Sequence, residues 1–245
     1  MTNVVKMERP KTNTDEPEKD WEDPSPFNSV PLVPLVLVLI IAGVELTLTA
    51  ASNGFIGGAR GIGWRAGVFG ELQFYPELIT QIFERGVWSI DYLKRFVTYP
   101  FVHANFTHAL WACVLLLALG KFVGEIIKPV AFAILFFLSS IVGALVYGAL
   151  SWQNVQLIGA YPGVYGLIGA YTYLMWLTLG RLGENQLKAF QLIGILLGIL
   201  LVYAMIFGST PTWIAEVSGF LAGLFIAPLL APGGWQSFVN RMRKR

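Results

Sequence analysis

The groups in this chain that could do chemistry are few. They are two histidines, His103 and His108, one cysteine, Cys113, two glutamates inside apolar runs, Glu45 and Glu216, and a Tyr161–Pro162 pair at the head of an apolar segment. His103 and His108 stand at i, i+5, so they do not share one helical face. With no Cys or acidic third ligand beside them, no metal site is expected. Cys113 has no second thiol to pair with, so an internal disulfide and a CxxC metal or redox site are excluded, and it reads as a packing residue. Ser139, Ser140 and Ser218 have no histidine at a useful spacing; Ser218 lies two residues after Glu216, on another side of the helix, so none is a credible nucleophile. A carboxylate at mid-depth in a membrane costs about 2.5–3.5 kcal/mol on insertion scales, so Glu45 and Glu216 must be partnered or functional. By helix rise both lie within roughly 10 Å of the outer face. Either they line a water-accessible cavity and share a proton, or each is neutral and hydrogen-bonded to a nearby hydroxyl or amide.

The elements that must position these groups are apolar helices. Hydrophobic residues make up 55% of the 245 and charged residues 13%, against about a quarter charged in a soluble domain. One aqueous core cannot hide that much apolar surface, so a multi-pass membrane protein is indicated. A net charge of +2 gives no reason to expect a nucleic-acid partner. Six segments are long enough to span about 30 Å of hydrocarbon: 31–51, 106–127, 129–150, 163–179, 190–207 and 212–231. The fourth and fifth are short, so they are expected to tilt or to start inside the bilayer. Residues 1–30 are polar and rich in Pro, Asp and Glu, which reads as a disordered tail. No cleavable signal peptide is expected. Residues 232–245 form a basic C-terminus.

Basic residues set the orientation. Lys6, Arg9, Lys11 and Lys19, then Lys121 and Lys128, then Arg181 and Lys188, then Arg241, Arg243, Lys244 and Arg245 all fall on one side of six spans. The loops 151–160 and 208–211 carry none. Both termini are therefore expected in the cytoplasm, and the membrane is expected to be the plasma (inner) membrane. The long loop of about 52–102 then lies outside. Within it Leu78, Ile79, Ile82 and Phe83 share a helical face, flanked by Trp64 and Trp88. That pattern fits a helix lying in the membrane interface or, equally, a loop that covers the domain. GxxxG pairs occur at Gly194/Gly198 and Gly219/Gly223, and Gly166, Gly169 and Ala170 line one side of the fourth span. Small residues let helix backbones approach where lipid offers no hydrophobic drive, so the fourth and sixth spans are expected to pack together.

Three stretches then carry a resemblance. They are RFVTYPFVHANFTHAL, GAYPGVYGLIGAY and AEVSGFLAG, in that order and on the second, fourth and sixth spans. Together they resemble the rhomboid family of intramembrane serine proteases over about 94–230. Arg95, His103 and His108 match the first family pattern, the second lies without a gap on G-A-S-G-x-V-Y-G-L-x-G-A, and the third on A-H-x-x-G-x-x-x-G. Glu125 sits near a further family position with one residue of slippage. The resemblance implies an all-α membrane fold, a rhomboid-like six-helix bundle over 31–231. It also implies where the chemistry should be. The family's nucleophilic serine falls on Tyr161, the next glycine on Pro162, the catalytic histidine on Glu216, and an oxyanion-side asparagine on Ala112. His103, His108 and Arg95 remain on the oxyanion side or as structural residues.

These replacements act on one constellation. Serine attack needs a hydroxyl beside a base that takes its proton. A phenol is less nucleophilic and reaches further from the backbone, and a carboxylate is a weaker base than imidazole unless its pKa is raised. Loss of one oxyanion donor typically costs about 10²–10³ in rate. Pro162 is expected at the first position of a helix, where its missing N–H breaks no helical bond, with Tyr161 extended before it. The expected arrangement is a plugged pocket in which the Tyr161 hydroxyl hydrogen-bonds Glu216. No catalytic residue, metal or cofactor is expected. The function that follows is a pseudoprotease that binds transmembrane segments of client proteins within the lipid bilayer. The alternatives are a rhomboid-type serine endopeptidase with altered chemistry, or a proton- or solute-handling protein that uses Glu45 and Glu216.

Overall fold

A computed structural model describes residues 30–208 and 210–232. The tail and the basic C-terminus expected from the sequence lie outside these residues, apart from their innermost positions. The described chain is helical, and its only extended pairing is an isolated bridge between Phe74 and Leu157. Seven helices matter here: α1 (Leu32–Ser52), α2 (Trp64–Leu72), α3 (Phe106–Gly124), α4 (Pro129–Leu150), α5 (Tyr161–Arg181), α6 (Gln191–Phe207) and α7 (Trp213–Leu230). Among the described residues, five helical stretches are long and apolar enough to cross a membrane: α1, α3, α4, α7 and 186–206, which covers all of α6 but its last residue. The remaining expected span, the fourth, is α5, which is long enough, at about 31 Å for its 21 residues. It is less apolar because it is central: every residue from Pro162 to Ala170 is buried by protein rather than lipid.

The closest approach in the bundle is between α5 and α7. A Cβ added to Gly223 would run into the Gly166 carbonyl, one added to Gly219 into the Pro162 carbonyl, and one added to Gly169 into the Phe220 carbonyl. Backbone thus lies on backbone, which only glycine permits at this spacing. A Cβ added to Gly194 or Gly198 on α6 would meet nothing within 4 Å, so that GxxxG pair packs against no other helix among the described residues. The main core joins α1, α3, α4 and α5 around Ile41, Leu116, Phe132, Phe136, Leu167 and Ile168.

The loop between α1 and α3 folds back as a cap. Leu78 and Ile82 are buried with Phe74, Tyr99 and Tyr147, while Phe83 and Trp88 stay exposed and stack edge-to-face at 5.5 Å. The shared helical face is therefore split, because a π-helical turn at Thr80–Glu84 rotates the second half of the segment. The cap is anchored by the Tyr99 hydroxyl donating to the Ser140 carbonyl at 2.8 Å. Arg95 holds it from inside. It is buried, and its guanidinium donates to the carbonyls of Asp91, Gln73 and Gly70. Three carbonyls satisfy most of its donors without an acidic partner, so its role in this structure is that of a clip.

Candidate functional site

The starts of α3 and α5 meet beneath the cap. Helix α3 begins at an N-cap, where the Asn105 side chain accepts a hydrogen bond from the His108 N–H at 3.0 Å. The ring of His108 is then fixed by its Nδ1 accepting from the Ala104 N–H at 3.2 Å. Before the helix, His103 is 1% exposed, and its Nε2 accepts from the Ala160 N–H at 3.3 Å. That bond ties the loop ahead of α3 to the residue that precedes Tyr161. An acceptor Nε2 places the proton of neutral His103 on Nδ1, which is buried without a well-formed hydrogen bond. Burial pushes the His103 pKa down to about 3, helped by the charges of His108 and Arg65, with the Phe101 backbone acting the other way.

Tyr161 lies flat on His108, with ring centroids 4.9 Å apart and planes inclined by 14°, and His103 meets His108 edge-on at 5.2 Å. The three rings form one aromatic stack. Gly159 makes it possible: it sits at φ +95°, and a Cβ there would be 3.0 Å from His108 Cε1 and 3.3 Å from the Tyr161 ring.

The structure corrects the expected plug. The Tyr161 hydroxyl donates to the His108 main-chain carbonyl at 3.1 Å, not to Glu216. Tyr161 is also helical rather than extended: α5 starts at Tyr161 over an Ala160 cap, and Pro162 occupies the second position. The N–H that proline lacks is among the four a helix start leaves unpaired, so the shift costs no bond. Starting one residue early turns the phenol toward the first turn of α3. Glu216, in the first turn of α7, is half-buried near both phenols, and its polar neighbour is Tyr165 rather than Tyr161. Ala112 is fully buried and Cys113 partly so.

Ser139, Ser140 and Ser218 are not paired with a histidine in this structure. Ser140 donates to the Phe136 carbonyl at 2.9 Å and Ser218 to the Ile214 carbonyl at 2.6 Å. Ser139 is fully buried against Gly166 and has no base beside it. Among the described residues there is no group of three or more His, Cys, Asp or Glu side chains able to hold a metal ion.

Glu45 turns out to have a cationic partner that the sequence reading missed. Arg65 of α2 grips both of its oxygens, at 2.8 and 3.0 Å, and the Thr49 hydroxyl donates to it at 2.8 Å. The same guanidinium donates to the His103 carbonyl at 2.8 Å. Glu45 is therefore a bidentate ion pair, neither a solitary neutral acid nor half of a proton pair with Glu216. A buried acid in the first span calls for a cation, and the outer loop holds several. Nothing in their spacing singles out Arg65, twenty positions away.

Compared with models of known families, the chain matches the Rhomboid domain over residues 91–233, more than half of its length. No curated protein matches it.

Proposed function

This chain belongs to the rhomboid family of multi-pass membrane proteins, and within it we propose a pseudoprotease that binds transmembrane segments of client proteins. The observation that carries this reading is the Tyr161 hydroxyl, where the family keeps its nucleophile. Its proton is committed to the His108 carbonyl and its ring is stacked on the His108 ring. A group so held has no base to activate it, and Glu216 has Tyr165 as its polar neighbour instead. The oxyanion side has lost a donor at Ala112. Losses of this kind multiply into the rate.

Client binding needs an open side of the bundle, not a nucleophile. Helix α6 packs against α5 and the 3-10 turn at Gln186–Phe190, and presents Ile195, Ile199, Leu201 and Met205 outward. In the family, helices are recognised at a lateral opening, and this loosely held helix is the wall such a segment would meet. The basic residues at the α3–α4 and α5–α6 turns favour cytoplasmic termini, in a plasma (inner) membrane.

The deciding experiment offers a fluorescent transmembrane reporter to the protein in membranes, with photocrosslinkers on α6. The proposal expects crosslinked, intact reporter. Cleavage by the wild type that is abolished in Glu216→Ala would reject it in favour of an endopeptidase with altered chemistry.

A further inference from the structure

A groove of about 800 Å³ runs between α1 and α2, lined by neither Arg65 nor Glu45. Its floor is bare because both walls carry glycine: a Cβ on Gly43 or on Gly67 would meet nothing within 4 Å. Thr47 adds no free hydroxyl donor, since its hydroxyl donates to the Gly43 carbonyl at 2.7 Å. Trp64 and Val68 supply the apolar wall from α2. Gly43 and Thr47 lie about 14 and 8 Å down α1 from its loop end at Ser52, by helix rise. The groove therefore begins within the apolar layer. It ends at Arg60, next to Gly61, which packs on the Ala51 carbonyl at the loop end of α1.

Arg60 is the decisive residue. The other cations of the described cap are all taken. Arg65 pairs with Glu45, Arg85 with Glu77, and Lys94 with Glu71 and Asp91, while Arg95 is held by three carbonyls. Arg60 is exposed and has no acidic partner among the described residues. An apolar slot open to the bilayer, ending in an unopposed guanidinium at the height of the headgroups, has the chemistry of a phospholipid site: acyl chain between the helices, phosphate on the forked donors. We propose that this groove binds one anionic phospholipid, with an acyl chain along Gly43 and Gly67 and its phosphate on Arg60. The bound lipid braces α2 against α1, and so supports the face of α2 that delivers Arg65 to Glu45 and to the His103 carbonyl.

The test uses the full chain purified in mild detergent, with palmitoyl-oleoyl phosphatidylglycerol and the matching phosphatidylcholine as probes, read by native mass spectrometry and thermal unfolding. The expected result is one retained phosphatidylglycerol per protein and a higher Tm with phosphatidylglycerol than with phosphatidylcholine. Arg60→Gln should weaken phosphatidylglycerol retention roughly tenfold, the scale of one charged hydrogen bond, and remove the headgroup preference. Gly67→Leu should abolish retention of both lipids by filling the slot. Leucine favours an exposed helical position over glycine, so this variant's Tm in detergent alone should not fall. Equal retention of the two lipids by the wild type, or wild-type retention by Arg60→Gln and Gly67→Leu, would overturn the proposal. So would a lipid-free dimer that Gly67→Leu dissociates, which would assign the groove to a second copy of the chain.

Discussion

Arg65 closes a two-pronged bridge onto Glu45, with N–O distances of 2.8 and 3.0 Å, across the junction between the outer cap and the first span. Glu45 is only 3% exposed and Arg65 19%. Removing one member of such a pair leaves a buried charge uncompensated, at about 3–5 kcal/mol, whereas removing both charges is far milder. Arg65→Gln should therefore lower thermal stability strongly, and adding Glu45→Gln to it should recover much of the loss. The check is a double-mutant cycle by thermal unfolding in detergent. Additive losses would show that the pair is not coupled.

At Tyr161 the ring and the hydroxyl make separable contributions. Tyr161→Phe keeps the stack on His108 and loses one hydrogen bond, so a loss of about 0.5–1.5 kcal/mol is expected. Tyr161→Ala also removes the aromatic contact and buried ring area and should cost more. Tyr161→Ser should give no reporter cleavage above background, because Glu216 stays beside Tyr165 and Ala112 offers no side-chain donor. The unfolding midpoints of Phe and Ala, and the reporter signal of Ser, check the three parts. A Phe variant as stable as wild type would remove the hydroxyl from the account.

Which features were legible in the sequence follows from the range of the forces involved. Apolar length announced the spans, because each helix must cross the hydrocarbon by itself. The glycines of the fourth and sixth spans announced a close contact that α5 and α7 do make. Partners chosen over distance were not visible. Glu45 demanded company, but nothing local pointed to Arg65. The target of the Tyr161 hydroxyl depends on α5 starting one residue earlier than proline preferences suggest, which redirects the phenol from α7 to α3. The row Leu78, Ile79, Ile82 and Phe83 declared a face without saying what it faces, and the π-turn that divides it has no simple sequence signature. His103 and Gly159 matter through contacts with Ala160, His108 and Tyr161 that only the folded chain brings together.

Burial of His103 makes the protein acid-sensitive. Its folded-state pKa is depressed to about 3 by desolvation and by the nearby His108 and Arg65, below the usual value of about 6.5 in an unfolded chain. The unfolded state therefore binds the proton first. The stability contributed by neutral His103 is intact above about pH 6.5 and is lost as pH falls from there toward about 3, by up to about 1.4 kcal/mol per pH unit. Unfolding midpoints between pH 8 and pH 4 should fall for the wild type and flatten for His103→Gln. That variant keeps a side-chain acceptor for the Ala160 N–H without a titrating ring. Parallel profiles for the two proteins would mean that another group sets the acid limb.

The glycines of the bundle divide into two sets, and the difference is measurable. Gly223 faces the Gly166 backbone and Gly219 the Pro162 backbone, so a methyl group at either position meets main chain that cannot step aside. Gly194 faces open space on α6. Gly223→Ala should force α5 and α7 apart, at about 1–3 kcal/mol for an overpacked contact. It should also disturb the start of α5, where Tyr161 stacks on His108. Gly194→Ala should be neutral or slightly stabilising, because alanine favours the helix over glycine. Thermal unfolding of the two variants side by side controls for the change of residue type. The ordering fails if both lose stability equally, and the α5–α7 contact would then not be a close backbone seam.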